Sequence, residues 1–214
     1  MNTIINDVDD YYSGIARRYG PTPRGVDWTS AATQYYRFVQ LLKLCDFDAP
    51  FSLNDFGCGY GALLEFLAFR YPDANVAYRG IDASKIMIET ACKRWVTRPQ
   101  TMFEHNSRCT TAADYSIASG VCNVRLGHSL TTWEAYVTSI LANLHATSRR
   151  GFAVNFMLPC NGQLMEKELY RTGPDRWIAY CTELGCAVEI VGDYGMREFT
   201  LLMRIPPSAP AALQ

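Results

Sequence analysis

The chain has 214 residues and a formal net charge of −1, from 20 basic and 21 acidic side chains that are interspersed along it. Hydrophobic residues make up 49% and charged residues 19%, which excludes a disordered chain and suits a single globular domain with one core. The balanced charge, with no basic stripe or tail, argues against a nucleic-acid partner. No apolar run is long enough for a membrane span, and Met1–Asp7 has neither the basic nor the apolar region of a secretory leader.

A soluble, cytoplasmic protein is therefore expected, as a monomer or homodimer with no membrane partner. The eight cysteines are scattered and form no C-x-x-C pair. They read as reduced thiols, and no metal site is expected.

In chain order, residues 7–30 come first. They set Tyr11, Tyr12, Tyr19 and Trp28 among glycine and proline, and read as an ordered preface. Residues 31–205 form the core, and 206–214, which are rich in proline and alanine, a frayed tail. Ser30 can cap a helix to about Cys45, with Tyr35, Phe38, Val39 and Leu42 facing inward. A strand over Ser52–Phe56 leads through glycines into a helix over Gly61–Arg70. A second strand, Val76–Ile81, ends at Asp82, and Ser84 can cap the next helix, with Ile86, Met87, Thr90, Ala91 and Trp95 inward.

Thr101–Glu104 and Tyr115–Ser119 are the third and fourth strands. From Thr131 the apolar positions Trp133, Tyr136, Val137, Ile140, Leu141 and Leu144 have helical spacing. Arg149-Arg150-Gly151 reads as punctuation before a fifth strand, Phe152–Leu158. Pro174 can open a helix to Leu184. Ala187–Val191 and Glu198–Ile205 follow as two strands joined tightly. Repeated alternation implies an α/β fold with a mostly parallel sheet and helices on both faces. The short last connection requires an antiparallel last strand.

The most informative stretch is Asp55-Phe56-Gly57-Cys58-Gly59-Tyr60-Gly61. A strand, a glycine loop and a helix in that order let the backbone approach a ligand closely. Asp82 ends the next strand, where a carboxylate can accept ribose hydroxyls. The spacing Gly57-x-Gly59-x-x-Ala62, with Asp82 beyond it, also fits a looser dinucleotide fingerprint. An acid two residues before Gly57 suits a cation, however, and opposes a diphosphate. S-adenosylmethionine (SAM) carries a sulfonium and an ammonium and no phosphate.

On these residues, from about Asn54 to Ile205, the chain resembles the class I SAM-dependent methyltransferases. Their first motif reads acid-x-Gly-x-Gly-x-Gly and their second ends in an acid. The resemblance implies a Rossmann-like seven-stranded sheet. It implies Asp55 and Gly57 near the methionine part of SAM, Asp82 near its ribose, and Cys58 and Gly59 among the other cofactor-binding residues. Ala83 and Ile86 would flank the adenine, and Asn106 and Ser107, where family members often carry an acid, would contact it. Ser119 and Gly120 belong to the fourth motif.

Asn/Asp-Pro-Pro-Tyr/Phe is missing from that motif, unlike in amine-modifying DNA and protein-glutamine enzymes of the family. Thr22-Pro23-Arg24-Gly25-Val26-Asp27-Trp28, with the Ser-Gly-x-x-Asn turn at 119–123, resembles the preface and turn of a small bacterial methyltransferase group. There Cys122 stands where members often carry Phe, which suggests a wider pocket.

The preface reads either as packing or as a lid over the cofactor, with Tyr11, Tyr12 and Trp28 excluding water, and an aromatic face also suits a sulfonium. His128, in the loop after the fourth motif, and Tyr12 are the candidate catalytic residues; Asp27 and Tyr170 are rivals. Residues 161–175, with Tyr170 and Arg171, read as a pocket wall. The expected activity is methyl transfer to a small-molecule acceptor, with SAM as cofactor and S-adenosylhomocysteine (SAH) as product. An NAD(P)-dependent oxidoreductase and a non-catalytic SAM-binding subunit are the alternatives.

Overall fold

The computed structural model describes residues 2–26, 30–159 and 168–207. Seven strands form one sheet in the order β3-β2-β1-β4-β5-β7-β6. They are β1 (Phe51–Phe56), β2 (Val76–Asp82), β3 (Thr101–His105), β4 (Ala113–Ala118), β5 (Ser148–Met157), β6 (Ala187–Val191) and β7 (Glu198–Arg204). The pairs from β3 to β5 are parallel, and β7 lies antiparallel between β5 and β6. The order reverses at β1 and β4, so a crevice opens there beyond the strand ends.

The helices are α1 (Asn2–Tyr19), α2 (Ala31–Leu41), α3 (Ala62–Arg70), α4 (Lys85–Arg94), α5 (Leu130–Ala146) and α6 (Asp175–Glu183). Side chains of Ser30, Ser84 and Ser129 cap α2, α4 and α5 by accepting from a backbone N–H three residues on. On β5, Phe152, Val154 and Phe156 join one core cluster with Trp133, Leu141 and Trp177 of α5 and α6. Ala153 faces the other way, into the cluster of α2 and α3 with Leu41, Leu63 and Leu67. This alternation is the period of two of a strand buried on both faces.

The preface differs from its sequence reading. Residues 2–19 are one 18-residue helix. Ile4 is buried in the core cluster, with Ile5 and Val8 packed against it. The apolar stripe begins before residue 7, and Asp7, Asp9, Asp10 and Gly14 lower local helix propensity and obscure it. Gly20, at φ 64°, ends the helix, and its N–H donates to Ala16 O at 2.8 Å. A short 3-10 helix, Pro23–Val26, follows. Asp27 and Trp28 lie outside the described residues.

Other boundaries also move. Arg149, Arg150 and Gly151 lie within β5, where Arg150 stacks on Tyr115 and reaches Asp46 at 3.3 Å. Their charges are solvated at the strand's start, which made them look like punctuation. In α2 the buried residues are Gln34, Arg37, Phe38, Gln40 and Leu41, whereas Val39 is 42% exposed. In α4, Met87, Ile88 and Ala91 are buried, and Ile86 is not among them. The connection from β3 to β4 holds no helix.

Candidate functional site

A cavity lies where β1 and β4 diverge, the position at which sheets of this kind bind small molecules. Asp55, Gly57, Cys58 and Gly59 line it from the end of β1. Asp82 and Ala83 line it from β2, Ser107 from the β3–β4 connection, and Ser119, Gly120 and Val121 from the end of β4. Val8 and Tyr12 of α1 and Gln34 and Phe38 of α2 close it. Among the described residues, the lining includes no lysine or arginine.

The glycine loop is shaped by backbone geometry. Gly57, Gly59 and Gly61 have φ of 76°, 53° and 83°, a left-handed region where a Cβ is strained. A Cβ on Gly57 would also lie 2.5 Å from Val121 Cγ2. The N–H groups of Gly57 and Cys58 donate to Ile81 O at 2.7 and 3.1 Å. Asp82 then fixes the loop from its side. Its Oδ2 accepts from Gly59 N–H and its Oδ1 from Ser84 N–H, both at 2.8 Å. Each carboxylate oxygen keeps acceptor capacity for a ligand hydroxyl. Burial raises the Asp82 pKa, and the two backbone hydrogen bonds oppose that shift.

Asp55 is 3% exposed and accepts a hydrogen bond from Tyr78 Oη. Burial pushes its pKa up to about 7; the Tyr78 hydrogen bond lowers it and the nearby Asp82 raises it. A cation in the cavity would restore its charge.

A second feature was missed by the sequence reading. Gly120 N–H donates to Asn155 Oδ1 at 2.7 Å, and Asn155 Nδ2 donates to Glu198 Oε2 at 3.1 Å. Arg37 donates from Nε to Glu198 Oε2 at 2.7 Å and from a second nitrogen to Oε1. All three side chains are buried. A polar chain thus runs from α2, through β7 and β5, to the cavity wall at Gly120. An asparagine in the middle of the apolar strand Phe152–Leu158 was the available signal.

The remaining candidates separate. Tyr12 lines the cavity, with Tyr11 edge-on behind it at 5.2 Å and not on the lining. Met87 takes the wall position expected of Ile86. Asn106 is also off the lining: its N–H donates to Asp82 O, and its Oδ1 accepts from Arg108 N–H. His128 is off it too, with Nε2 3.0 Å from Asp7 Oδ2. Cys122 does not widen the pocket. It is buried in the core, and its carbonyl accepts from Trp133 Nε1 at 3.1 Å. Tyr170 is core as well, its hydroxyl donating to Glu134 at 3.2 Å. Arg171 is not on the lining, and residues 160–167 lie outside the described residues. Among the described residues no group of three or more metal-binding side chains occurs, and no helix is long and apolar enough to cross a membrane.

No family model matches the chain. A relative from Mycobacterium tuberculosis, named "Putative methyltransferase Rv1506c", is 40% identical over 157 residues, which is 72% of this chain and 93% of the relative. Among solved structures, magnesium protoporphyrin IX methyltransferase (ChlM) from Synechocystis with bound SAH matches with a TM-score of 0.68 at 16% identity, over 94% of this chain and 99% of that one. The N-methyltransferase NodS from Bradyrhizobium japonicum in complex with SAH matches with a TM-score of 0.65 at 18% identity, over 92% and 100%. The structural likeness shows a shared fold, and the close relative shows the family. The chain belongs to the class I SAM-dependent methyltransferases.

Proposed function

We propose that this cavity binds SAM and that the chain transfers its methyl group to a small-molecule acceptor. The observation that carries this reading is the charge of the cavity. Two carboxylates, Asp55 and Asp82, converge on a three-glycine loop, with no basic side chain among the described lining residues. A dinucleotide's diphosphate would find no counter-charge, whereas the sulfonium and ammonium of SAM find two acids. The donor set fits SAM in other ways. Asp82 offers spare acceptor positions for ribose hydroxyls. Ser119 Oγ, on the lining, is buried with no hydrogen-bond partner, as expected of a group awaiting a ligand.

In this reading Asp55 faces the methionine ammonium, and Gly57, Cys58 and Gly59 let the backbone approach that part of the cofactor. Ala83 and Met87 pack against the adenine, with Ser107 at its edge. When bound, SAM supplies a methyl carbon open to in-line attack by an acceptor O, N, S or C. The protein's contribution is alignment and exclusion of water. Tyr12 closes the cavity from α1. α1 forms a lid over the site, with Val8 and Tyr12 on the lining.

Incubation with methyl-labelled SAM and panels of hydroxy, amino and thiol compounds tests the substrate class. Label in a low-molecular-weight product is the expected result. Label only in a macromolecular fraction contradicts the small-molecule reading.

A further inference from the structure

SAM carries a carboxylate as well as its sulfonium and ammonium. The two acids of the cavity, Asp55 and Asp82, suit the cations and repel this third charge. No lysine or arginine lines the cavity among the described residues, so the carboxylate has no cation to pair with. It sits on the same carbon as the ammonium and therefore enters the site beside Asp55. A carboxylate taken out of water without hydrogen-bond donors is costly, so the wall must supply neutral ones.

Gln34, on α2, lines the cavity and is 4% exposed. Tyr60 stands between Gly59 and Gly61 in the glycine loop and lines the same cavity. Its Oη donates to Gln34 Oε1 at 3.3 Å. Burial pushes the Tyr60 pKa up to about 12, so this hydroxyl keeps its proton and stays a donor. The amide is thereby oriented, with its oxygen toward Tyr60 and Nε2 on the other side. Nε2 donates to no described residue, yet it is not sealed in the interior. On a buried side chain of the wall, such a nitrogen meets the cavity, and it has two hydrogens to donate.

We infer that Gln34 is the residue that recognises the methionine carboxylate of SAM, and that Tyr60 positions its amide. This rests on the reading of the cavity as the SAM site. Tyr60 ties the amide to the glycine loop that Asp55 begins, so one end of the cavity offers an acid to the ammonium and an amide to the carboxylate. The choice of an amide has an electrostatic reason. An arginine or lysine there would pair with Asp55 and cancel the field that draws the cations. A neutral amide donates to the carboxylate and leaves that field intact.

The test is calorimetric titration of the full chain with SAH and with its decarboxylated analogue, which keeps the adenosine, the sulfur and the amine. The wild type should bind SAH more tightly. Gln34→Leu should weaken SAH by about tenfold to a hundredfold, the loss typical of a hydrogen bond to a charged group, and leave the analogue unchanged. Gln34→Glu sets a second carboxylate against that of SAH. It should weaken SAH further and bind the analogue at least as tightly as the wild type does. Tyr60→Phe keeps the ring and releases the amide, so it should weaken SAH alone, by about twofold to tenfold; it guards against a Gln34 variant that fails to fold. Equal losses for both ligands in the Gln34 variants make Gln34 a packing residue and overturn the assignment, as does a wild type that does not prefer SAH. SAH affinity unchanged in Tyr60→Phe overturns the positioning by Tyr60. If the wild type binds neither ligand, the SAM reading itself falls, and this assignment with it.

Discussion

Asp82 concentrates two duties in one carboxylate. It holds the glycine loop through Gly59 and the start of α4 through Ser84, and it faces the cavity. Asp82→Ala should weaken SAH by about 1.5–3 kcal/mol, the value of a lost charged acceptor, or about tenfold to a hundredfold in affinity. Calorimetric titration of a still-folded variant checks this; an unchanged dissociation constant would reduce Asp82 to a helix cap. Gly59→Val should be worse, because a branched side chain is strained at φ 53° and occupies ligand space.

Asp55 makes a different prediction. Its folded pKa, about 7, lies above the ordinary 3.8. The ligand-free fold therefore keeps a proton that the unfolded chain releases, so the Asp55 contribution to stability is full below about pH 4 and is lost as pH rises to about 7. A bound cation favours the ionised form and lowers that pKa. SAM should therefore bind more tightly at about pH 8 than at about pH 6, with proton release at the lower pH. Titrations in buffers of different ionisation heat measure that release, which should disappear in Asp55→Asn.

At the scale of elements, α1 and the Arg37–Glu198–Asn155 chain each hold a wall of the cavity. α1 is anchored by Ile4 in the core, by Ser13 Oγ at 2.7 Å from Ser84 Oγ, and by Asp7 beside His128. Arg17, Arg18 and Arg24 are exposed on or after it. If the segment closes over the cofactor, trypsin should cut there in the free protein and more slowly with SAH. Equal rates would make the segment a fixed part of the core. The buried chain predicts a stability effect. Glu198→Gln strands the Arg37 guanidinium and should cost about 3–5 kcal/mol in urea unfolding. Adding Arg37→Met should recover part of that loss, because the two residues are coupled. Additive losses would show that they act separately.

These two elements also mark where the sequence was hard to read. Asp55, Gly57, Gly59 and Asp82 were legible because strand ends, acids and glycines are local signals. α1 was not, since its apolar stripe is diluted by three aspartates and a glycine. The Arg37–Glu198 pair spans 161 positions, and no local pattern carries such a contact. Ile86 and Met87 were a one-residue error of helix phase, which caps alone do not resolve.

For the whole molecule, alternating strands and helices with a tight final pair were enough to foresee a parallel sheet ending in an antiparallel strand. They were not enough to place the side chains of the loop after β4, whose conformation depends on Glu168–Tyr170 far along the chain. The central claim is that this sheet presents an acidic, phosphate-averse site for SAM. It is tested most directly by isothermal titration of the full chain with SAM, SAH and NAD under one set of conditions. The account predicts saturable, stoichiometric binding of SAM and SAH and no detectable heat of binding from NAD. Tight NAD binding without SAM binding would contradict it.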